Sequence, residues 1–378
     1  MYVECHPGLS LRTFFKPPKA DLEQLFGTRR WFYRYGRDAL AIALRVLGLK
    51  PGDEILAPSS LCEVVIAVFA QHGIGIEYYS LNRRLGYDIS EIEYRIKPKI
   101  KAVVAVHFFG FPGNILALEK LCQQRGLKLI EDCAYVFNGS IAGRMLGSIG
   151  DAAIFSPRKL LPIGSGGALR LNRPELPDPS FPDAFQCHGM ILKSVLSLFI
   201  ANAASWSPLP LVRFRRLRGY VEEQIEWREE MSKVEIRPPQ AMPFLSEFLL
   251  RRADPDEVIA RRRKIFRFWL DRFSEINNVE ALFPELPDGV CPYCFPIIVE
   301  NKNGFIHAMA ANNVLIEATL NYTYRSPQNI RNPDEPFPTT DALVKRIVYL
   351  PVHQNLRASE LNKAAERLSL VALNESLR

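Results

Sequence analysis

Between residues 36 and 171 the apolar positions alternate between a helical period and short continuous runs. Gly36, Arg37 and Asp38 open an apolar helical pattern over 39–47, which Gly48 ends. A turn at Pro51-Gly52-Asp53 leads into a short strand over 54–57, and further helical patterns follow at 64–72, 89–96 and 115–125. Between them, 74–81, 101–109, 127–132, 151–156 and 167–171 read as strands. The run KAVVAVHFF (101–109) is apolar almost throughout, as expected of a strand buried on both faces. Strands separated by helices of about ten residues imply βαβ units and an α/β fold with a mostly parallel central sheet. After residue 172 the pattern loosens. A long helix is expected over 255–273, a strand over 295–299, a helix over 305–312, and a terminal helix capped by Ser359 and running to about residue 370. We therefore expect a large domain, 1–236, and a smaller C-terminal α+β domain, 237–378.

Composition narrows the class without choosing a function. The chain is 48% hydrophobic and 24% charged, which excludes a largely disordered chain or a disulfide mini-protein. The net charge of +7 is spread along the sequence and does not argue for a nucleic-acid partner. Seven scattered cysteines imply free thiols in a reducing compartment, and we expect a cytoplasmic protein. Cys291-Pro-Tyr-Cys294 is the one CxxC pair, without the second ligand pair that a structural zinc site needs, so no metal is expected. Residues 194–212 carry no charge and are followed by Arg213, Arg215, Arg216 and Arg218. That layout fits an interfacial membrane anchor. Asn202, four serines, Pro208 and Pro210 favour a segment packed on the large domain or on a partner subunit instead.

Ligands of a parallel α/β sheet gather at the carboxyl ends of its strands. Asp132 ends the strand LKLIED, while Ser156 and Lys159 follow the strand that ends at Phe155. Gly36 and Arg37 open the first helix, whose free N–H groups suit a phosphate. No GxGxxG follows the first strand and no Walker A motif is present, so nucleotide-fold readings are weak. A lysine, a carboxylate and a phosphate-binding helix start suit pyridoxal 5'-phosphate. The lysine forms the Schiff base, and the carboxylate keeps the ring nitrogen protonated.

The blocks YGRDALAIAL, LGLKPGDEILAP, KAVVAVHFFGFPGN, LKLIEDCAY, GRMLGSIGDAAIFS and KLLPIGSGGAL, with YLPVHQNL late in the chain, resemble the DegT/StrS-type sugar aminotransferases, a branch of the fold-type I pyridoxal-phosphate enzymes. The resemblance implies that Lys159, eight residues before Gly167, is the Schiff-base lysine and that Asp132 partners the pyridine nitrogen. It places Ser156, Gly36 and Arg37 at the cofactor phosphate. It also implies a homodimer in which each subunit completes the other's site. Four positions depart from the family pattern. Tyr35-Gly36-Arg37 stands for Ser-Gly-Thr, and Tyr135 stands for a glutamine, with a hydroxyl in reach of the ring oxygen. Cys62 stands for a stacking aromatic, and two residues instead of four separate Ser156 from Lys159.

The implied activity is transfer of an amino group from an amino acid, glutamate by expectation, to a nucleotide-linked keto-sugar. The substrates are small molecules, and no nucleic acid is involved. A sugar dehydration on the same scaffold is the second reading, against which Lys159 stands because dehydrating members typically carry histidine there. A non-catalytic binding protein is the third, and retention of both Lys159 and Asp132 opposes it.

Overall fold

The computed structural model describes residues 3, 6–180, 237–273, 279–316 and 337–375. The uncharged segment 194–212 and its arginines lie outside them. Two short helices, α1 (Arg12–Phe15) and α2 (Leu22–Phe26), precede the central sheet. The sheet then grows in chain order as β1 (Arg30–Tyr33), α3 (Gly36–Val46), β2 (Glu54–Pro58), α4 (Glu63–Gln71), β3 (Gly75–Tyr79), α5 (Ile89–Arg95), β4 (Ile100–Val106), α6 (Ile115–Arg125) and β5 (Lys128–Cys133). A small hairpin, β6 (Ser140–Ile141) and β7 (Arg144–Met145), leads to β8 (Ala152–Phe155) and β9 (Gly167–Leu171).

The seven strands lie in the order β1-β9-β8-β5-β4-β2-β3. Strands β8, β5, β4, β2 and β3 are mutually parallel, while β9 runs antiparallel to both β8 and β1. No crossover helix separates β8 from β9, only the turn that carries Lys159, so the chain reverses there. Because β9 is reversed relative to both neighbours, β1 points the same way as the five parallel strands. The start of α3, just after β1, therefore reaches the same sheet edge as the carboxyl ends of β5 and β8.

The expected strands over 54–57, 74–81, 127–132, 151–156 and 167–171 are present with ends shifted by two residues or fewer. The run 101–109 differs. Its strand stops at Val106, and Phe108–Gly110 forms a 3₁₀ turn in which Phe109 takes the left-handed φ of 57°. The two phenylalanines are apolar because they are buried, not because they extend the strand: the Phe109 ring packs 4.6 Å from that of Tyr349.

After β9 the described chain resumes at residue 237. Ala241 bridges antiparallel to Tyr33, covering the outer edge of β1. Helices α7 (Phe244–Arg251) and α8 (Pro255–Phe273) follow, with the latter matching the sequence expectation. A three-stranded antiparallel sheet, β10 (Glu280–Ala281), β11 (Cys294–Ile298) and β12 (Ile347–Pro351), packs with α9 (Lys302–Ala311), α10 (Pro338–Arg346) and α11 (Ala358–Glu375). Its core centres on Phe295, whose ring meets Phe266 at 4.8 Å and Phe273 at 5.0 Å. The two sheets join where Phe111 stacks on Phe283 at 3.8 Å and Tyr293 N–H donates to Phe109 O. Among the described residues, no helix is long and apolar enough to cross a membrane.

Candidate active site

Three strand ends supply the candidate site. Asp132 is the penultimate residue of β5, opposite Val106 of β4 and Ile154 of β8. Side chains alternate along a strand, so Glu131 and Asp132 face opposite sides of the sheet. Glu131 is fully buried, whereas Asp132 is only partly covered. Asp132 Oδ1 accepts the Ala134 N–H at 2.9 Å. Burial pushes the Asp132 carboxyl above its ordinary range, and the nearby Lys159 cation, the Ala134 N–H and His107 draw it back down.

Lys159 ends the 3₁₀ turn that follows β8. Its ammonium sits 3.9 Å above the ring of Tyr135, within cation–π range. Tyr135 is fixed in turn by its neighbours, with Tyr293 at 4.7 Å and Phe109 at 5.9 Å between ring centres. Asp132, Tyr135 and Lys159 thus lie close together.

The helix start completes the set. Tyr35 has extended backbone and its N–H donates to Asp38 Oδ2 at 3.1 Å, which closes the first turn of α3. A Cβ on Gly36 would lie 2.5 Å from Ser156 Oγ, so the helix start and the serine hydroxyl stand side by side with room for glycine only. A Cβ on Gly167 would lie 2.2 Å from the Tyr35 carbonyl carbon, so β9 also needs glycine where it passes beneath this turn. Arg37 lies 4.5 Å from the centre of the Tyr35 ring. Free helical N–H groups, a hydroxyl and a guanidinium are the donors a phosphate requires. With a carboxylate and a lysine beside them, the residues fit pyridoxal phosphate.

The structure brings all six sequence-derived positions (Gly36, Arg37, Asp132, Tyr135, Ser156 and Lys159) to one sheet edge. It also shows groups that the sequence reading passed over. Glu131 accepts from the Gly147, Ile149 and Gly150 N–H groups at 2.7–2.9 Å, and its Oε2 lies 2.9 Å from His107 Nε2. Burial alone would raise its pKa, but these partners, His107 foremost, hold the carboxyl below its ordinary range. His107, Glu131 and Cys133 come within 4.8 Å of one another. The hydrogen bonds to Glu131 make this cluster a staple between β4, β5 and the turn that enters β8. Arg262 of α8 is a second such group. It is fully buried and donates to Leu160 O, Pro292 O, Tyr293 O and Gln354 Oε1 at 2.9–3.2 Å. Leu160 directly follows Lys159, so Arg262 ties the lysine turn to the second sheet. Nothing local in the sequence marks it, because its partners lie between 30 and 102 residues away. Cys62 sits at the start of α4, at the same edge of the sheet. The five described cysteines, Cys62, Cys122, Cys133, Cys291 and Cys294, are all free thiols.

Comparison with known proteins identifies a family. A model of the DegT/DnrJ/EryC1/StrS aminotransferase family matches residues 34–195 and 250–369. The dTDP-4-dehydro-2,3,6-trideoxy-D-glucose 4-aminotransferase of Saccharopolyspora spinosa is 27% identical over 342 residues, covering 89% of this chain and 82% of that protein. Among solved structures, the aminotransferase TlmJ of Streptoalloteichus hindustanus superposes with a TM-score of 0.74 at 18% identity, covering all of both chains. The sugar aminotransferase Spr1654 of Streptococcus pneumoniae, in its PMP form, gives 0.76 at 14% identity over 100% of this chain and 99% of that one. At such identities these two likenesses establish the fold.

Proposed function

The chain belongs to the DegT/DnrJ/EryC1/StrS aminotransferase family, whose members depend on pyridoxal phosphate, and from that premise we propose that it transfers an amino group from glutamate to a nucleotide-linked keto-sugar. The acceptor class rests on the names of its relatives. The Saccharopolyspora protein is named for a dTDP-linked keto-sugar, and a Vibrio cholerae relative, 32% identical over 36% of this chain, is named a GDP-perosamine synthase. The observation that carries the reading is the convergence of Lys159, Asp132 and Tyr135 with the Gly36–Ser156 cradle at the carboxyl ends of β1, β5 and β8.

Each residue has a role that follows from its chemistry. The backbone N–H groups at Gly36 and Arg37, the Ser156 hydroxyl and the Arg37 guanidinium bind the cofactor phosphate. Asp132 holds a proton on the ring nitrogen. Its raised pKa reflects burial that Lys159, the Ala134 N–H and His107 offset only in part, and a protonated ring nitrogen beside it would favour the ionised form further. When bound, the cofactor supplies a carbonyl for the donor's amine and an electron-poor ring that stores the electron pair released at the α-carbon. Lys159 accepts the α-proton as general base and returns it as general acid. The Tyr135 ring holds the lysine ammonium over one face and so sets the direction from which it works. Turnover then shuttles one amino group per cycle, with no net change in the protein.

We further propose a homodimer of this chain, and two domains divided near residue 236, the first built on the seven-stranded sheet and the second on the three-stranded one. The test of the function is direct. Purified protein should be yellow, glutamate should bleach that band, and a keto-sugar nucleotide should restore it with formation of an aminosugar detectable by mass. Lys159→Ala should abolish both the band and turnover while leaving the fold intact. If that variant keeps the lysine-bound absorbance, another lysine holds the cofactor and the assignment fails.

A further inference from the structure

Tyr35 stands at the centre of three guanidinium groups. Those of Arg37, Arg34 and Arg158 lie 4.5, 5.1 and 5.3 Å from its ring centre. Each is within cation–π range, and the ring face screens like charges that would otherwise repel. Arg34 is held from the side by Gln240 Oε1 at 2.9 Å. Among the described residues, Arg37 and Arg158 form no ion pair. Arg158 immediately precedes Lys159 and is exposed, with its guanidinium beside the Tyr35 ring.

The charge is more than the cofactor phosphate takes up. Three guanidinium groups and the start of α3 contribute roughly +3.5, since a helix N-terminus acts as about half a unit charge. Asp38, the buried acid of that turn, offsets one of these when ionised. The remaining excess of roughly +2.5 faces a phosphate of about −1.5 to −2. Charge is left for one more singly charged oxyanion, near Arg158, which is exposed.

We propose that Arg158, with Arg37 across the Tyr35 ring, binds a singly charged oxyanion of the substrate in addition to the cofactor phosphate. Two substrate groups carry that chemistry, the α-carboxylate of the amino donor and one phosphoryl group of the acceptor's diphosphate. A bound donor carboxylate would hold the adjacent α-carbon near the turn that carries Lys159, and a bound diphosphate would hold the sugar on the same side of the site, since Arg158 and Lys159 share that turn. This inference rests on the aminotransferase reading above and adds a specificity-determining residue to it.

The test uses the holoenzyme and the variants Arg158→Gln and Arg158→Lys. Arg158 is exposed, so neither change should affect folding. Three quantities are measured: the cofactor content of the purified protein, the Kd for UDP, dTDP and GDP by calorimetry, and the glutamate concentration that half-bleaches the cofactor band in a single turnover. Cofactor content should equal that of the wild type. One of the two affinities should fall about tenfold or more in the glutamine variant, the loss of one charge-assisted contact, and return in part with lysine. A fall in nucleoside diphosphate affinity identifies the acceptor's diphosphate as the ligand, and a fall in glutamate affinity identifies the donor's carboxylate. Unchanged affinities, or a loss of cofactor with neither affinity altered, overturn the proposal. If glutamate fails to bleach the wild type, the aminotransferase reading fails by itself, and the calorimetric arm still decides whether Arg158 binds an oxyanion.

Discussion

Glu131 and Asp132 are consecutive carboxylates with opposite tasks, and the strand's alternation separates them. Glu131 accepts three backbone N–H bonds and pairs with His107, in full burial. Its folded pKa lies below the ordinary carboxylate value, so its contribution to stability is complete above that value and is lost as pH falls through the depressed one. Glu131→Gln should cost about 2–4 kcal/mol at neutral pH, since charged hydrogen bonds are replaced and an amide N–H faces a backbone donor. Urea melts of the wild type and the variant should differ by a constant amount from pH ~5 to 8, and the difference should shrink below pH ~4. A difference that grew on acidification would contradict the assignment. Asp132→Asn should leave the melt nearly unchanged and instead lose most turnover, because a neutral amide cannot hold the ring proton. Near-normal kcat in that variant would remove Asp132 from the ring nitrogen.

At the scale of elements, two close approaches shape the site. The first is β9 beneath the start of α3. Gly167→Ala places a Cβ against the Tyr35 backbone, which has no flexible end to yield. The helix start should shift, with a loss of about 1–3 kcal/mol and weaker retention of cofactor during dialysis. The second is the tie from α8 to the lysine turn. Arg262→Met removes the donor shared by the carbonyls of Leu160, Pro292 and Tyr293 and leaves acceptors buried. A destabilisation of about 3 kcal/mol or more is expected in denaturant titrations. A variant as stable as the wild type would mean that these carbonyls find other donors.

For the whole molecule, the expected assembly is a dimer. Sedimentation of the holoenzyme at micromolar concentration should give twice the 43.0 kDa of one chain. A single 43.0-kDa species across that range would exclude a stable homodimer. Among the described residues, Phe15, Tyr94 and Phe244 carry exposed rings, and the Phe244 ring lies 6.2 Å from that of Phe248.

Local pattern by itself determined the α/β alternation, the helix over 255–273 and the strands that carry Asp132 and Phe155, because each depends on periodicity, caps and glycine stops within about twenty residues. The family blocks determined which lysine and which aspartate to watch. Tertiary structure decided what lies between those elements. Strand β1 is four residues flanked by arginines, too short to announce itself, and it exists because β9 and residues 240–242 pair with its two edges. Phe108 and Phe109 read as strand because burial selects apolar residues whether the backbone is extended or turned. Arg158 is far from Arg34 and Arg37 in sequence, and only folding sets the three around one ring. Arg262 looks like part of a charged helix face until its carbonyl partners arrive from three distant loops. A sequence records its own period well, but not the partner that satisfies a buried charge, because that partner is chosen by contacts a hundred residues apart.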